Sequence, residues 1–295
     1  MTPFELTPQA LHEHPLPEIA AGDKEDRGHI LVIAGCRETP GATLLSATAS
    51  LRAGAGKLTI ATAVCVATET AIAVPESRTI ALGADEDGAI APLDQHGRDK
   101  LAAMNGKVDA ILIGPGMQNE AACCLLVRRI AEILPGTPLI LDAYAISAVR
   151  EHRLGSTPII TPHAGEMAHL TGEPKEAILA DPVRVALDAA QQWDAIVVLK
   201  GAKTVIATPG AECWLHAADN TGLATSGSGD VLAGIISGLT ARQLPLLAAA
   251  QWGVLLHARA GARLSARQAP LGYLARDISA EIPDVLRELE SGIQD

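Results

Sequence analysis

The chain has 295 residues, room for one large domain or two small ones, and is 48% hydrophobic with a net charge of −11. That acidity excludes a broad nucleic-acid surface or docking on an anionic membrane, and no uninterrupted apolar run reaches membrane-spanning length. Only three Trp, two Tyr and one Phe are present, so the core must be built from small aliphatic side chains, which favours closely packed helices on a sheet. The five cysteines (Cys36, Cys65, Cys123, Cys124 and Cys213) include no C-x-x-C and no metal-ligand spacing. An odd number of cysteines, after an N-terminus without a basic and then apolar leader, predicts a reduced, cytoplasmic protein.

In chain order, residues 1–28 are polar and proline-punctuated, and predict a short helix and an extended lead-in. Residues 29–34 are the first buried strand, 35–42 a loop, and the small residues to Ala53 a helix. A strand over 57–62, a helix to Val74, a short strand over 78–82 and a helix over 94–104 follow a regular alternation. It continues with strand 108–113, turn Gly114-Pro115-Gly116, helix 119–134, strand 138–141, a short helix at 144–150 and strand 158–161. The loop 162–165 opens another helix, and one longer helix is expected over 174–192. Residues 195–200 form a further strand, and 203–207 with 212–216, split by Pro209-Gly210, form a hairpin. Two packed helices over 229–242 and 245–264 and an amphipathic helix over 275–290 close the chain. The apolar 244–264 faces fit either a subunit interface or ordinary core. Apolar strands alternating with helices indicate a mostly parallel sheet covered on both faces.

The stretch 220–239 stands apart. Its first half is Gly, Ser and Thr, and its second half is apolar and helix-length. A flexible loop thus delivers residues 225–229 to the start of a buried helix, where unpaired backbone N–H groups attract an anion. Asp230 stands one residue beyond the last loop glycine. Capping of the helix is one account of it. The other is acceptance of a hydroxyl proton while the glycine cradle holds a transferring phosphoryl group. The positive end of the helix should keep Asp230 ionised at neutral pH.

Ligands in such sheets gather beyond the carboxyl ends of strands. Those ends read Ala34-Gly35, Gly114-Pro115-Gly116, Asp142, Thr161-Pro162-His163 and Lys200-Gly201. His163 fits a ligand contact or a satisfied surface or core histidine. Glu166 fits a helix cap as well as a carboxylate ordering a metal-bound water, and Asp142 is open between loop capping and a place near Mg²⁺. Lys200 fits a phosphate contact, with an exposed strand-end lysine as the default. P-loop, Rossmann, nucleophile-elbow and zincin motifs are absent.

The segments 30–35, 40–47, 51–56, 109–116, 161–166, 199–204 and 225–230 together resemble the ribokinase-like superfamily, and within it the NAD(P)H-hydrate dehydratases. The resemblance runs from about residue 24 to about 265. It implies an α/β, ribokinase-like fold, a central mostly parallel sheet with helices on both faces. It also implies one domain over 1–295 with residues 1–24 as lead-in and no N-terminal epimerase domain. The activity implied is a hydro-lyase of nicotinamide-nucleotide repair that removes water from the S form of hydrated NADH or NADPH at the expense of ADP or ATP, with Mg²⁺. A chain without the epimerase resembles the ADP-using bacterial branch. By the family pattern Ala42, Gly116, His163 and Asp230 contact the hydrated nucleotide, with Asp230 as catalytic base. Lys200, Gly201, Ala202, Lys203, Thr204 and Gly229 contact the adenine nucleotide. A separate epimerase as functional partner and a homo-oligomer, a tetramer as in the family, are implied as well. The chain departs from the pattern at Asp142-Ala143-Tyr144, where Tyr144 adds bulk on the substrate side, and at Ser226 and Ser228 in the cradle. The alternatives are a small-molecule kinase of the same fold, such as a hydroxyethylthiazole kinase, and a non-catalytic nucleotide-binding protein.

Overall fold

The computed structural model describes residues 2–17, 23–150, 154–217 and 220–294. The strands are β1 (Phe4–Glu5), β2 (His29–Ile33), β3 (Lys57–Ala63), β4 (Ser77–Leu82) and β5 (Ala110–Ile113), then β6 (Leu139–Leu141), β7 (Ile159–Ile160), β8 (Ile196–Leu199), β9 (Lys203–Ala207) and β10 (Cys213–Ala217). They form one ten-stranded sheet in the order β1-β10-β9-β8-β7-β6-β5-β2-β3-β4. From β4 to β8 every pairing is parallel. β9 runs antiparallel to both β8 and β10, which makes the expected hairpin.

The helices are α1 (Pro40–Arg52), α2 (Ala67–Ala73), α3 (Gln95–Ala102), α4 (Glu120–Ile133) and α5 (Ala164–Thr171), then α6 (Lys175–Ala180), α7 (Pro182–Trp193), α8 (Ser228–Ala241), α9 (Leu246–Arg267) and α10 (Ala275–Gln294). Alternate residues of β2 explain why both sheet faces are covered. Ile30 and Val32 join the core under α1, α8, α9 and α10, whereas Leu31 and Ile33 join the core under α4, α5 and α7. The result is the doubly covered α/β architecture expected from the sequence.

The scarcity of aromatic residues has a structural counterpart where α1 crosses α8. A Cβ on Gly234 would lie 2.3 Å from the Ser46 carbonyl oxygen, and one on Gly238 would lie 2.3 Å from that of Ser50. The backbones are close enough for Ser50 Oγ to donate to the Gly234 carbonyl at 3.0 Å. This contact fixes the start of α8 against α1, and with it the glycine-rich loop. The apolar face of α9 is core: Trp252, Leu255 and Leu256 are buried within the chain, and Trp252 Nε1 donates to the His14 carbonyl at 2.8 Å.

Two expectations are corrected. The single helix over 174–192 is two helices, α6 and α7, because Pro182 lacks an N–H and pushes Asp181 to φ −140° and ψ 69°. The lead-in contains β1, which pairs parallel with β10 at the sheet edge. Two residues of strand, both exposed, leave no readable alternation. Among the described residues no helix is long and apolar enough to cross a membrane, and none of the five cysteines forms a disulfide.

Candidate active site

The carboxyl ends of β2, β5, β6, β7 and β8 open on one edge of the sheet. Glycines let two turns meet there. Gly35, at φ +82°, donates its N–H to the Pro115 carbonyl at 2.8 Å. A Cβ on Gly116, at φ +64°, would come within 2.7 Å of Ala42 Cβ, so a side chain there would collide as well as strain. Gly116 and Ala42, in the first turn of α1, therefore stand against each other, and Thr39 Oγ1 donates to the Gly116 carbonyl at 2.6 Å. The structure brings these two expected residues together.

The end of β8 delivers Lys200 inward. Its N–H donates to the Pro162 carbonyl at 2.8 Å, extending the β7–β8 pairing so that His163 and Lys200 lie side by side. Lys200 Nζ donates to Asp142 Oδ1 at 3.0 Å and lies 3.9 Å from Glu166 Oε2; its side chain is only 17% exposed. Asp142, buried at the end of β6, also accepts from Thr161 Oγ1 at 2.6 Å. The exposed strand-end default for Lys200 is thus overturned. Burial opposes its charge most strongly, but Asp142 and Glu166 outweigh that and hold the ammonium above its ordinary range.

This ammonium points at the start of α8. A Cβ on Gly229 would meet Lys200 Nζ at 3.1 Å. Gly227, at φ +86°, is the N-cap, and no side chain caps the helix. The first-turn amides therefore face the ammonium without a capping side chain, an arrangement suited to an anion. Asp230 is in that first turn and is not the cap, so the capping account of it fails. Burial first, then the neighbouring charge of Asp142, pushes its carboxyl up to about 7 against the pull of Lys200, with Glu166 adding to the rise. This runs against the expectation that the positive helix end keeps Asp230 ionised at neutral pH, because burial and two neighbouring carboxylates raise its pKa. Near neutrality it exchanges a proton easily, as a general base must.

A cavity of about 590 Å³ opens beside this centre, walled by His163, Lys200, Gly201, Ala202, Thr204, Ser228, Gly229 and His257 among others. It gathers five of the expected nucleotide contacts. Lys203 instead lines a neighbouring pocket with Ala164 and Ile178. His163, expected on the substrate side, shares the cavity wall with Lys200. Its Nδ1 accepts from the N–H groups of Gly165 at 2.9 Å and Glu166 at 3.0 Å, and Glu166 Oε2 accepts from the His163 N–H at 2.7 Å, a reciprocal cap of α5. The neutral ring must then carry its proton on Nε2, and it is 59% exposed. Tyr144 is exposed and follows Ala143, a non-glycine residue at φ +50°.

Sequence reasoning missed His257 on α9. Its Nε2–H donates to the Ser228 carbonyl at 3.1 Å and lies 2.9 Å from Ser228 Oγ. Burial lowers its pKa to about 4, so it is neutral and leaves the Ser228 hydroxyl proton free to donate. The available signal was a histidine inside an otherwise apolar helix stripe.

Asp142, Glu166 and Asp230 supply hard oxygen donors around Lys200, yet among the described residues no three His, Cys, Asp or Glu side chains converge on one point. That donor set fits Mg²⁺, which keeps several waters and is held by one or two carboxylates together with substrate phosphates. It does not fit an all-protein cage.

The family model described as NAD(P)H-hydrate dehydratase matches residues 30–284. The chain belongs to the NAD(P)H-hydrate dehydratase family. It is 43% identical over 287 residues to the ADP-dependent (S)-NAD(P)H-hydrate dehydratase of Xanthomonas campestris, covering 97% of each chain. The Bacillus subtilis ADP/ATP-dependent NAD(P)H-hydrate dehydratase, co-crystallised with ATP/Mg²⁺, superposes with a TM-score of 0.83 at 28% identity, covering 98% of this chain and 99% of that one. The bifunctional NAD(P)H-hydrate repair enzyme Nnr of Moorella thermoacetica is 36% identical over 93% of this chain, which spans 52% of that protein's length. For a member of the dehydratase family, the five strand ends and the α8 start described above all fall inside the matched span.

Proposed function

We propose that the protein is an ADP-dependent (S)-NAD(P)H-hydrate dehydratase, a hydro-lyase that returns hydrated NADH or NADPH to the normal cofactor. The observation that carries this reading is Lys200 Nζ held against Gly229 at the uncapped start of α8, with Asp230 in the same turn. The nucleotide's phosphates lie at that helix start, and Lys200 meets them as Asp142 shares its charge. The substrate lies toward Ala42 and Gly116. Asp230 takes the proton of the substrate hydroxyl as that oxygen attacks the terminal phosphorus, giving AMP and a phosphorylated hydrate. The C–O bond then breaks with its electron pair leaving on phosphate, a far better leaving group than hydroxide, and loss of a proton from the neighbouring carbon restores the double bond. Mg²⁺, arriving with the nucleotide, would neutralise phosphate charge; Glu166 and Asp142 would hold its waters.

In this reading the nucleotide is ADP in preference to ATP, and a separate epimerase converts the R hydrate to the S form. The enzyme works in the cytoplasm as a homo-tetramer. Incubation with hydrated NADH, ADP and Mg²⁺ tests the activity. Release of one phosphate per NADH recovered is expected, whereas a stable phosphorylated product without NADH would identify a small-molecule kinase instead.

A further inference from the structure

The amino ends of β2, β3 and β4 lie on the sheet edge opposite the active site, and a cavity of about 320 Å³ opens among them. Lys24, Lys57, Arg78 and Lys107 line it, and Glu76 is the one acid among the described residues of its wall. Such a concentration of positive charge is out of character in a chain of net charge −11. The cations are also incompletely neutralised. Lys57 Nζ holds Glu25 at 2.9 Å in a solvent-exposed pair, and Lys107 Nζ donates to the Ala103 carbonyl at 2.9 Å. Lys24 and Arg78 have no side-chain partner among the described residues of this pocket.

The floor beneath them is rigid and already satisfied. The ring of buried His29 donates through Nδ1 to the Lys107 carbonyl at 2.9 Å, which leaves Nε2 to accept from Thr59 Oγ1 at 2.9 Å. Burial, with Lys57 adding to it, holds this histidine below its ordinary pKa and therefore neutral. The donors left unspent are the cations on the rim, and buried Leu58 and Met104 supply apolar wall. Like charges held around a small cavity repel, and an anion between them relieves that repulsion while gaining charge-assisted hydrogen bonds.

We infer that this pocket is a second ligand site, one that takes the phosphate dianion of a small organic phosphate. β3 runs seven residues between this edge and the active-site edge, about 20 Å at strand rise, so the two sites are separate.

Amine-reactive labelling of the full chain, read by mass spectrometry, tests it. Ribose 5-phosphate is expected to lower labelling of Lys24, Lys57 and Lys107 several-fold while leaving exposed Lys175 unchanged. Protection at lower concentration by ribose 5-phosphate than by inorganic phosphate assigns an organic ester; equal concentrations assign free phosphate. Protection no greater than that given by sodium chloride at matched ionic strength overturns the site. Arg78→Glu, on the edge strand, should abolish the protection with an unchanged melting curve, and protection that survives in the folded variant overturns it as well. If that variant fails to fold, Lys24→Glu on the exposed 24–27 turn serves the same purpose.

Discussion

Asp230→Asn separates chemistry from folding because the two effects have opposite signs. The rise of the Asp230 carboxyl from 3.8 to about 7 means that the fold tolerates the protonated form and resists the charged one. The contribution of Asp230 to stability is therefore fully present below about pH 4 and lost as pH rises through about 7. At full strength that rise corresponds to about 4 kcal/mol, and to roughly 2 kcal/mol once solvent screening of a half-buried group is allowed. Asn has the shape of the protonated acid and no charge to resist. The variant should melt about 3 °C above the parent at pH 8, with the gain shrinking toward pH 5. Turnover should move the other way, falling at least about a hundredfold, the usual cost of losing a general base. The parent's kcat/KM for the hydrated cofactor should rise with pH through about 7, as Asp230 loses its proton. Thermal melts across pH and NADH recovery on the same preparations check both arms. A melting gain that does not change with pH, or near-normal turnover from the folded variant, would refute the reasoning.

Lys200→Ala should weaken ADP binding more than dinucleotide binding by calorimetric titration. It should also destabilise the fold by about 3 kcal/mol, because Asp142 stays buried without its cation. Adding Asp142→Asn should recover the stability and not the ADP affinity, and unchanged affinity in the single variant would remove Lys200 from the phosphate site. His163→Ala should cost about 1 kcal/mol through the lost cap of α5, and His163→Asn little, since Asn caps well. A rise in the Michaelis constant for the hydrate shared by both variants would establish a ligand contact, whereas one confined to Ala would leave capping as the whole role. His257→Phe should raise the Michaelis constant for ADP several-fold with a smaller change in kcat, and an unchanged constant would dissociate Ser228 from the nucleotide.

Much of the fold was legible because its strands are short apolar runs punctuated by glycine at their carboxyl ends. His29–Ile33 and Ile196–Leu199 are buried at every position, and no surface pattern competes with that reading. The α6–α7 break was legible in principle, since Asp181-Pro182 carries the usual stop signal. It was obscured because the helical periodicity resumes at once. Strand β1 was not legible: Phe4–Glu5 is specified by the open edge of β10 and not by its own pattern. In the site, type and order were readable but electrostatics were not. Asp142 and Lys200 lie 58 positions apart, and only the β6–β7–β8 register makes them an ion pair. The high pKa of Asp230 likewise depends on carboxylates that sequence spacing cannot place beside it. His257 was hidden because its partner, Ser228, belongs to another helix, 29 positions away.

The central claim is that the substrate hydroxyl is phosphorylated before it leaves, and an oxygen label tests it most directly. Hydrated NADH whose hydroxyl carries a heavy oxygen isotope should be turned over with ADP and Mg²⁺, and the released phosphate analysed by mass spectrometry. Phosphoryl transfer to that oxygen, assisted by Asp230 and Lys200, places the label in phosphate as NADH absorbance returns. Label recovered in water, with unlabelled phosphate, would show that hydroxide leaves directly and would contradict the account.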